Sequence, residues 1–128
     1  MKKSTASFIA LAVAGVLAFS CGYDGPSLNV AALKAKLDAD PHALIVVDVR
    51  PRAMFEKGHV KGARNIPLEE IGEHLSELAA SSRSLAVICT CGRRSLEAVE
   101  KLRAGGIEPF LVVGGMQEWE KAGYPMAN

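Results

Sequence analysis

The sequence lacks the marks of several large protein classes. Its 15 Lys and Arg and 14 Asp and Glu leave a formal net charge of +1, without the basic excess typical of nucleic-acid-binding proteins. It contains no internal repeats, no low-complexity tracts and no apolar run of the roughly 20 residues that a membrane-spanning helix needs. With 128 residues, 49% of them hydrophobic, the chain has room for one domain with a buried core.

Metal-ligating side chains are also scarce. Cys89 and Cys91 form the only close cysteine pair, and the three histidines, His42, His59 and His74, are scattered. Because a structural zinc site takes four such ligands, we expect no metal site. A dithiol redox centre usually places two residues between its cysteines, whereas a single residue separates this pair. The two thiols are still close enough to form a strained disulfide.

Residues 1–21 have the pattern of an export signal. Lys2 and Lys3 supply a positive start, and Phe8–Phe19 form an apolar run of 12 residues. Small residues follow around Cys21, as they do at export cleavage sites. The pattern predicts a protein of the periplasm or cell envelope.

The end of this signal, LAFSC, resembles a bacterial lipoprotein signal, because the small Ser20 precedes a cysteine. The resemblance implies that Cys21 is lipidated and anchors the chain to a bacterial membrane. The stretch Ala18–Ser20 also fits an ordinary cleavage site, but Cys21 would then be an odd, exposed thiol in an oxidising compartment. Residues 22–27 are expected to form a short tether, and residues 28–128 a single domain.

From Ser27 onward, patterns typical of helices alternate with patterns typical of strands. Unbroken apolar runs predict buried strands over 43–48, 85–89 and 110–113, and a brief extended stretch precedes Pro67. Amphipathic spacing and caps predict helices over 29–38, 52–57, around 71–78, 95–104 and 116–122. This alternation predicts an α/β domain with a mostly parallel sheet.

The segment CTCGRRS, which begins at Cys89, follows the second buried strand. Ligands of parallel sheets bind beyond the carboxyl ends of the strands, where this segment lies. The N–H groups of a turn and of a helix N-terminus favour negative charge there. We therefore expect Cys89 to be held as the thiolate, the form that attacks. Gly92 permits a tight curl, Arg93 and Arg94 either attract an anion or face solvent, and Ser95 is expected to cap the helix.

Cysteine phosphatases also use a thiolate in an anion-binding loop, but they place five residues between the cysteine and the arginine. Only four separate Cys89 from Arg94, so the loop is one residue too short for that motif.

Three stretches in order resemble the motifs of single-domain rhodaneses, over essentially all of residues 27–128. They are VVDVRPRAMFEKGHVKGARNIPLEEI, the six-residue active loop within VICTCGRRS, and LVVGGMQEWEKAGYP with its Gly-Gly-x-x-x-Trp element. The resemblance implies a rhodanese-like fold, with about five strands flanked by helices on both faces.

The resemblance implies sulfurtransferase chemistry at Cys89, without a cofactor. Cys89 would take a sulfane sulfur from thiosulfate or from a persulfide or polysulfide, and hold it as a persulfide. A thiol, cyanide or a thiol–disulfide partner protein would then accept the sulfur. The implied binding loop comprises Thr90, Cys91, Gly92, Arg93, Arg94 and Ser95. The alternative is a non-catalytic module that uses this loop to recognise an anion or a protein.

The remaining matched residues are expected to support the site. Asp48 and Arg50 would hold each other or the loop in place, and an activated thiolate needs no general base at His59. Trp119 is expected in the core with its N–H bonded to a nearby group. Cys91 is either a small buried side chain or a second thiol that resolves the Cys89 persulfide.

Overall fold

The computed structural model describes residues 23–128, so the predicted signal and Cys21 lie outside the described residues. The strands are β1 (Ser27–Asn29), β2 (Leu44–Asp48), β3 (Arg64–Asn65), β4 (Ser84–Ile88) and β5 (Phe110–Val113). The α-helices are α1 (Val30–Ala39), α2 (Arg52–Lys57), α3 (Leu75–Ala80), α4 (Arg93–Ala104) and α5 (Gly115–Lys121), with a 3₁₀ segment over Leu68–His74. None of the helices within 23–128 has the length and apolar character needed to cross a membrane.

The five strands form one sheet in the order β1-β5-β4-β2-β3. Every neighbouring pair in this sheet is parallel. All the carboxyl ends of the strands therefore lie along one edge of the sheet. The predicted fold, a parallel α/β domain of about five strands, is confirmed.

Helices cover both faces of the sheet, which explains why its central strands are apolar throughout. Ile45, Val47 and Val87 point to a cluster that includes the 3₁₀ segment, α3 and α4. Val46 and Ile88 alternate to the opposite cluster, which α1 and α5 complete. Each fully buried aliphatic side chain of this kind contributes about 1.5–3 kcal/mol to folding.

The active-loop boundaries differ from the sequence expectation by one or two residues. Strand β4 ends at Ile88, because the Cys89 carbonyl turns away from the ladder and accepts the N–H of Met116 at 2.7 Å. Helix α4 begins at Arg93 rather than Ser95, with Gly92 as its N-cap at a φ of 117°. The predicted cap at Ser95 is therefore wrong, because the left-handed glycine starts the helix earlier.

The segment expected to be a tether packs onto the domain from Tyr23 onward. The Tyr23 ring lies 5.5 Å from the Arg103 guanidinium, and its hydroxyl donates to the Pro109 carbonyl at 3.4 Å. Burial raises the pKa of the Tyr23 phenol. The Leu111 N–H donates to the Pro26 carbonyl at 3.0 Å, which leads the chain into β1, a strand that the sequence patterns did not predict.

Candidate active site

The site is built where three neighbouring strands end. Asp48, the last residue of β2, is in register with Ile88, the last residue of β4. Cys89 follows Ile88, and Gly114 follows β5 on the other side of β4. The parallel sheet thus brings together three segments that are far apart in sequence.

Cys89 is buried at the base of this site, with 1% of its surface exposed. The Gly92 N–H donates to its Sγ at 3.0 Å, and the Ser95 Oγ lies 3.4 Å from the same sulfur. The Ser95 hydroxyl also donates to the Gly92 carbonyl at 3.0 Å. Since a hydroxyl has one proton, Ser95 accepts from the Cys89 thiol in this arrangement and can rotate to donate to a thiolate.

Helix α5 fixes the direction of the first two loop peptides. Its Met116 and Gln117 N–H groups donate to the carbonyls of Cys89 and Thr90, at 2.7 and 2.9 Å. In a planar trans peptide the N–H points opposite to the carbonyl. The N–H groups of Thr90 and Cys91 therefore point away from α5.

The loop and the start of α4 leave a set of backbone donors free. Within residues 23–128, no hydrogen bond occupies the N–H groups of Thr90, Cys91, Arg93, Arg94 and Ser95. Together with the Gly92 N–H on the Cys89 sulfur, they form a concave set of donors of the kind that binds anions. The arrangement stabilises negative charge on a sulfur atom and on a small group attached to it.

Gly115 is a site residue whose role the sequence motif did not reveal. Its φ is 60°, and a Cβ added there would lie 2.3 Å from the Cys89 carbonyl oxygen and 2.7 Å from that of Thr90. Only glycine lets α5 begin this close to the active loop. The signal in the sequence is the pair Gly114-Gly115 directly after a buried strand.

An open pocket of about 530 Å³ lies over the loop. It is lined by Leu68, Cys89, Thr90, Cys91, Arg93, Arg94 and Glu97. Leu68 and Glu97 were not foreseen from the sequence, because they come from the 3₁₀ segment and from the outer side of α4. The pocket is large enough for a small molecule or ion but gives larger molecules little enclosure.

Cys91 is exposed, so the first of the two alternatives for this position, a small buried side chain, is wrong. The curl at Gly92 directs the loop outward at Cys91 while it keeps Cys89 inside. Both cysteines are free thiols, and no disulfide joins them.

The charge at the mouth of the pocket is mixed. Arg93 is exposed and makes no ion pair with any residue of 23–128, whereas Arg94 lies 3.8 Å from the Glu69 carboxylate. Glu97 adds a carboxylate to the lining. Arg93 is thus the cation best placed to meet an incoming anion.

Asp48 and Arg50 form a buried ion pair beside the loop. Two Arg50 nitrogens donate to the Asp48 carboxylate at 2.8–3.1 Å, and Arg50 also donates to the Gly58 carbonyl at 2.8 Å. The Asn65 amide donates to the carbonyls of both residues. Neither charged side chain lines the pocket over Cys89.

His59 and Trp119 also have structural surroundings. The His59 ring stacks on Phe55 with centroids 3.7 Å apart, and its Nδ1 lies 2.8 Å from the Phe55 carbonyl. His59 does not line the pocket over Cys89. The buried Trp119 donates its Nε1–H to the Pro125 carbonyl at 3.0 Å, as expected.

The structure is thus an α/β domain with a buried thiol in an N–H-lined loop, at the carboxyl ends of a parallel sheet. The model of the rhodanese-like domain family matches residues 29–122. The chain belongs to the rhodanese-like domain family.

Several relatives have names that refer to sulfur chemistry. Bacillus subtilis YrkF, named a sulfur carrier protein, is 35% identical over 95 residues, which cover 73% of this chain and 50% of YrkF. Escherichia coli PspE, named a thiosulfate sulfurtransferase, is 33% identical over 73 residues, covering 56% of this chain and 70% of PspE. The chain thus spans half the length of YrkF, one of the curated relatives it matches most strongly.

A solved structure shares the fold. The solution structure of the rhodanese-like domain of the Anabaena protein Alr3790 has a TM-score of 0.73 and 28% identity, covering 82% of this chain and 80% of that one.

Proposed function

We propose that this protein is a sulfurtransferase that carries a sulfane sulfur on Cys89. The observation that carries the proposal is the sulfur's setting: the Cys89 Sγ accepts the Gly92 N–H at 3.0 Å, beneath an open pocket lined by further backbone donors. Names of relatives such as PspE support the same chemistry. Membership of the rhodanese-like domain family also supports sulfur transfer at this loop.

In the first half-reaction the Cys89 thiolate attacks the sulfane sulfur of the donor. A bond forms between Sγ and this outer sulfur, and the donor's S–S bond breaks. With thiosulfate as donor, sulfite leaves with the electron pair. The free loop N–H groups stabilise the negative charge of the resulting persulfide, as oxyanion-hole donors do for oxygen.

In the second half-reaction a nucleophile removes the outer sulfur. Cyanide or a thiolate attacks it, the bond to Sγ breaks, and Cys89 returns as a thiolate. The Gly92 N–H and the Ser95 hydroxyl stabilise this leaving group, since both lie against Sγ. No oxidant or reductant is consumed in the cycle.

The donor is an anion whose sulfane sulfur fits the pocket. Arg93 and Arg94 favour thiosulfate, but Glu97 and the absence of a cation at Thr90 weaken that attraction. A persulfide or polysulfide is the alternative donor, because an organic persulfide carries a single charge and needs less compensation at the mouth of the pocket.

A thiosulfate:cyanide sulfur-transfer assay on wild type and Cys89→Ala tests the proposal. We expect the variant to lose about three orders of magnitude or more in rate, because it lacks the nucleophile. Equal rates in the two proteins would refute the assignment. They would favour the other candidate, a non-catalytic module whose loop binds an anion or a protein partner.

We further propose that residues 1–21 direct export and that a lipid on Cys21 anchors the protein to a bacterial membrane. The domain begins at the amino end of β1, whereas Cys89 lies at the opposite edge of the sheet. An anchor before Tyr23 would therefore leave the pocket facing away from the membrane. Mass spectrometry of the membrane fraction tests this, and an unmodified Cys21 would refute the lipid anchor.

A further inference from the structure

The active pocket contains two thiols with opposite exposure. Cys89 is 1% exposed, and Cys91, two residues later, lies on the surface and lines the same pocket. The sulfur-transfer cycle described above uses only Cys89. The second thiol therefore has no role in that cycle, although it is the thiol nearest to Cys89 in sequence.

The loop geometry limits the distance between the two side chains. The Gly92 nitrogen lies 3.0 Å from the Cys89 Sγ and is bonded to the carbonyl carbon of Cys91. Standard bond lengths then place the Cys91 Cα within about 5.4 Å of the Cys89 Sγ. An S–S bond of about 2.05 Å extends Cys89 into the pocket when it carries a persulfide. Rotation of the Cys91 side chain brings its thiol within reach of that outer sulfur.

We propose that Cys91 is an internal acceptor, which receives the sulfur from Cys89 and presents it at the surface. This proposal rests on the sulfurtransferase function proposed above. The Cys91 sulfur attacks the outer sulfur of the Cys89 persulfide, a new S–S bond forms on Cys91, and the old bond to Sγ breaks. Cys89 leaves as a thiolate, and the proton of the Cys91 thiol stays with the transferred sulfur chain.

The surroundings of the two sulfurs favour attack on the outer atom. The inner sulfur of Cys89 is buried and contacted by Gly92 and Ser95, so a nucleophile has little access to it. The outer sulfur projects into the open pocket that Cys91 lines. The same two contacts stabilise Cys89 as the leaving thiolate, so the step needs no added reagent.

This transfer from Cys89 to Cys91, here called the relay, would let a bulky acceptor reach the sulfur. Cyanide is small enough to reach the outer sulfur on Cys89 directly. A protein thiol meets the exposed Cys91 first, because Cys89 lies beneath the loop surface. The transfer therefore selects for thiol acceptors, and in particular for exposed cysteines of other proteins.

The experiment locates the sulfur after brief treatment of the full chain with thiosulfate, followed by alkylation and trypsin. The tryptic peptide 84–93 contains both loop cysteines, and fragments that break at Thr90 separate them. Wild type is expected to carry the added sulfur on both cysteines. Cys91→Ser is expected to carry it on Cys89 alone, and Cys89→Ser on neither, because Cys91 is charged only through Cys89.

The other possible results distinguish failure of the relay from failure of the proposed function. Sulfur confined to Cys89 in wild type would overturn the relay and leave the proposed function intact, whereas sulfur on neither cysteine, after thiosulfate and in a separate trial after a polysulfide, would overturn the proposed function. Sulfur on Cys91 in Cys89→Ser would show direct loading and overturn the relay. As a second readout, we expect Cys91→Ser to lower the ratio of the thiol-acceptor rate to the cyanide rate about tenfold. An unchanged ratio would contradict the relay.

Discussion

The segments that follow the neighbouring strands β2 and β4 start level with each other, but they differ in how their hydrogen-bonding groups are satisfied. After β2, Asp48 and Arg50 pair with each other and are buried, at 0% and 4% exposure. After β4, Cys89 is followed by backbone donors that no residue of 23–128 occupies. The same edge of the sheet thus holds a closed segment, residues 48–50, whose hydrogen-bonding groups are nearly all satisfied, and an open segment, residues 89–95, whose backbone donors are mostly free.

The first segment therefore has a structural role, and the second can take part in a reaction. A buried ion pair that binds its own backbone has no group left for a ligand, so it fixes the shape of the edge. A loop with free N–H groups and a buried sulfur has a place for incoming negative charge. Helix α5 maintains this difference, because it takes up the loop carbonyls and leaves the N–H groups free.

Apart from Cys89→Ala, the largest effect on activity is expected from Gly115→Ala, which disrupts the open segment by steric contact. The new methyl group would lie 2.3 Å from the Cys89 carbonyl, so α5 and the loop must separate. Since a displacement of about 1 Å at a reacting group can lower rates by about 10², we expect at least that loss in thiosulfate:cyanide transfer.

Gly123→Ala is the matched control for this variant. Gly123 has a φ of 77°, but a Cβ there meets nothing within 4 Å. Both alanines carry the backbone cost of a left-handed conformation, about 1–2 kcal/mol, and only Gly115→Ala carries the collision. Equal activities of the two variants would show that contact with the loop does not govern catalysis.

Asp48→Ala breaks the closed segment. It leaves the Arg50 guanidinium buried without its carboxylate, and we expect it to lower the free energy of unfolding by about 3–5 kcal/mol. The double variant Asp48→Ala with Arg50→Met removes both charges and should recover part of that loss. Chemical denaturation measures both values, and a double variant less stable than the single one would contradict this account.

Ser95→Ala tests how much a single side-chain donor contributes in the open segment. The variant removes the hydroxyl 3.4 Å from the Cys89 Sγ but keeps the backbone donors. A hydrogen bond to a charged acceptor such as a thiolate is worth about 1.5–3 kcal/mol, so we expect kcat/KM to fall about ten- to 150-fold. A loss as large as that of Cys89→Ala would mean that Ser95 does more than stabilise the sulfur.

The smallest effect is expected from Arg93→Gln, at the exposed mouth of the pocket. Removal of this cation should raise the KM for thiosulfate about threefold at low salt, and the difference should shrink as salt screens the charge. Arg83→Gln removes the same charge before β4, at the opposite edge of the sheet, and serves as the control. Matching KM values for the two variants would contradict a steering role for Arg93.

Much of the fold follows from the sequence, because burial on both faces leaves the central strands of a parallel sheet apolar throughout. The runs at β2, β4 and β5 are visible for this reason. β1 has only three residues and an alternating burial pattern, so its sequence gives no comparable signal. Its place in the sheet depends on pairing with β5, which lies far along the chain.

The loop motif itself was visible in the sequence, but its contacts were not. The start of α4 depends on the φ of Gly92 rather than on the capping preference of Ser95. The importance of Gly115 comes from its approach to the Cys89 carbonyl, a contact between distant segments. Likewise, the exposure of Cys91 follows from the curl of the loop and not from its residue type.

The central claim is that the open segment holds a sulfur atom on Cys89. Its most direct test is the intact mass of the full chain after thiosulfate treatment, compared with that of Cys89→Ser. We predict a gain of one sulfur atom, about 32 Da, in wild type and no gain in the variant. An unchanged wild-type mass, or the same gain in both proteins, would contradict the claim.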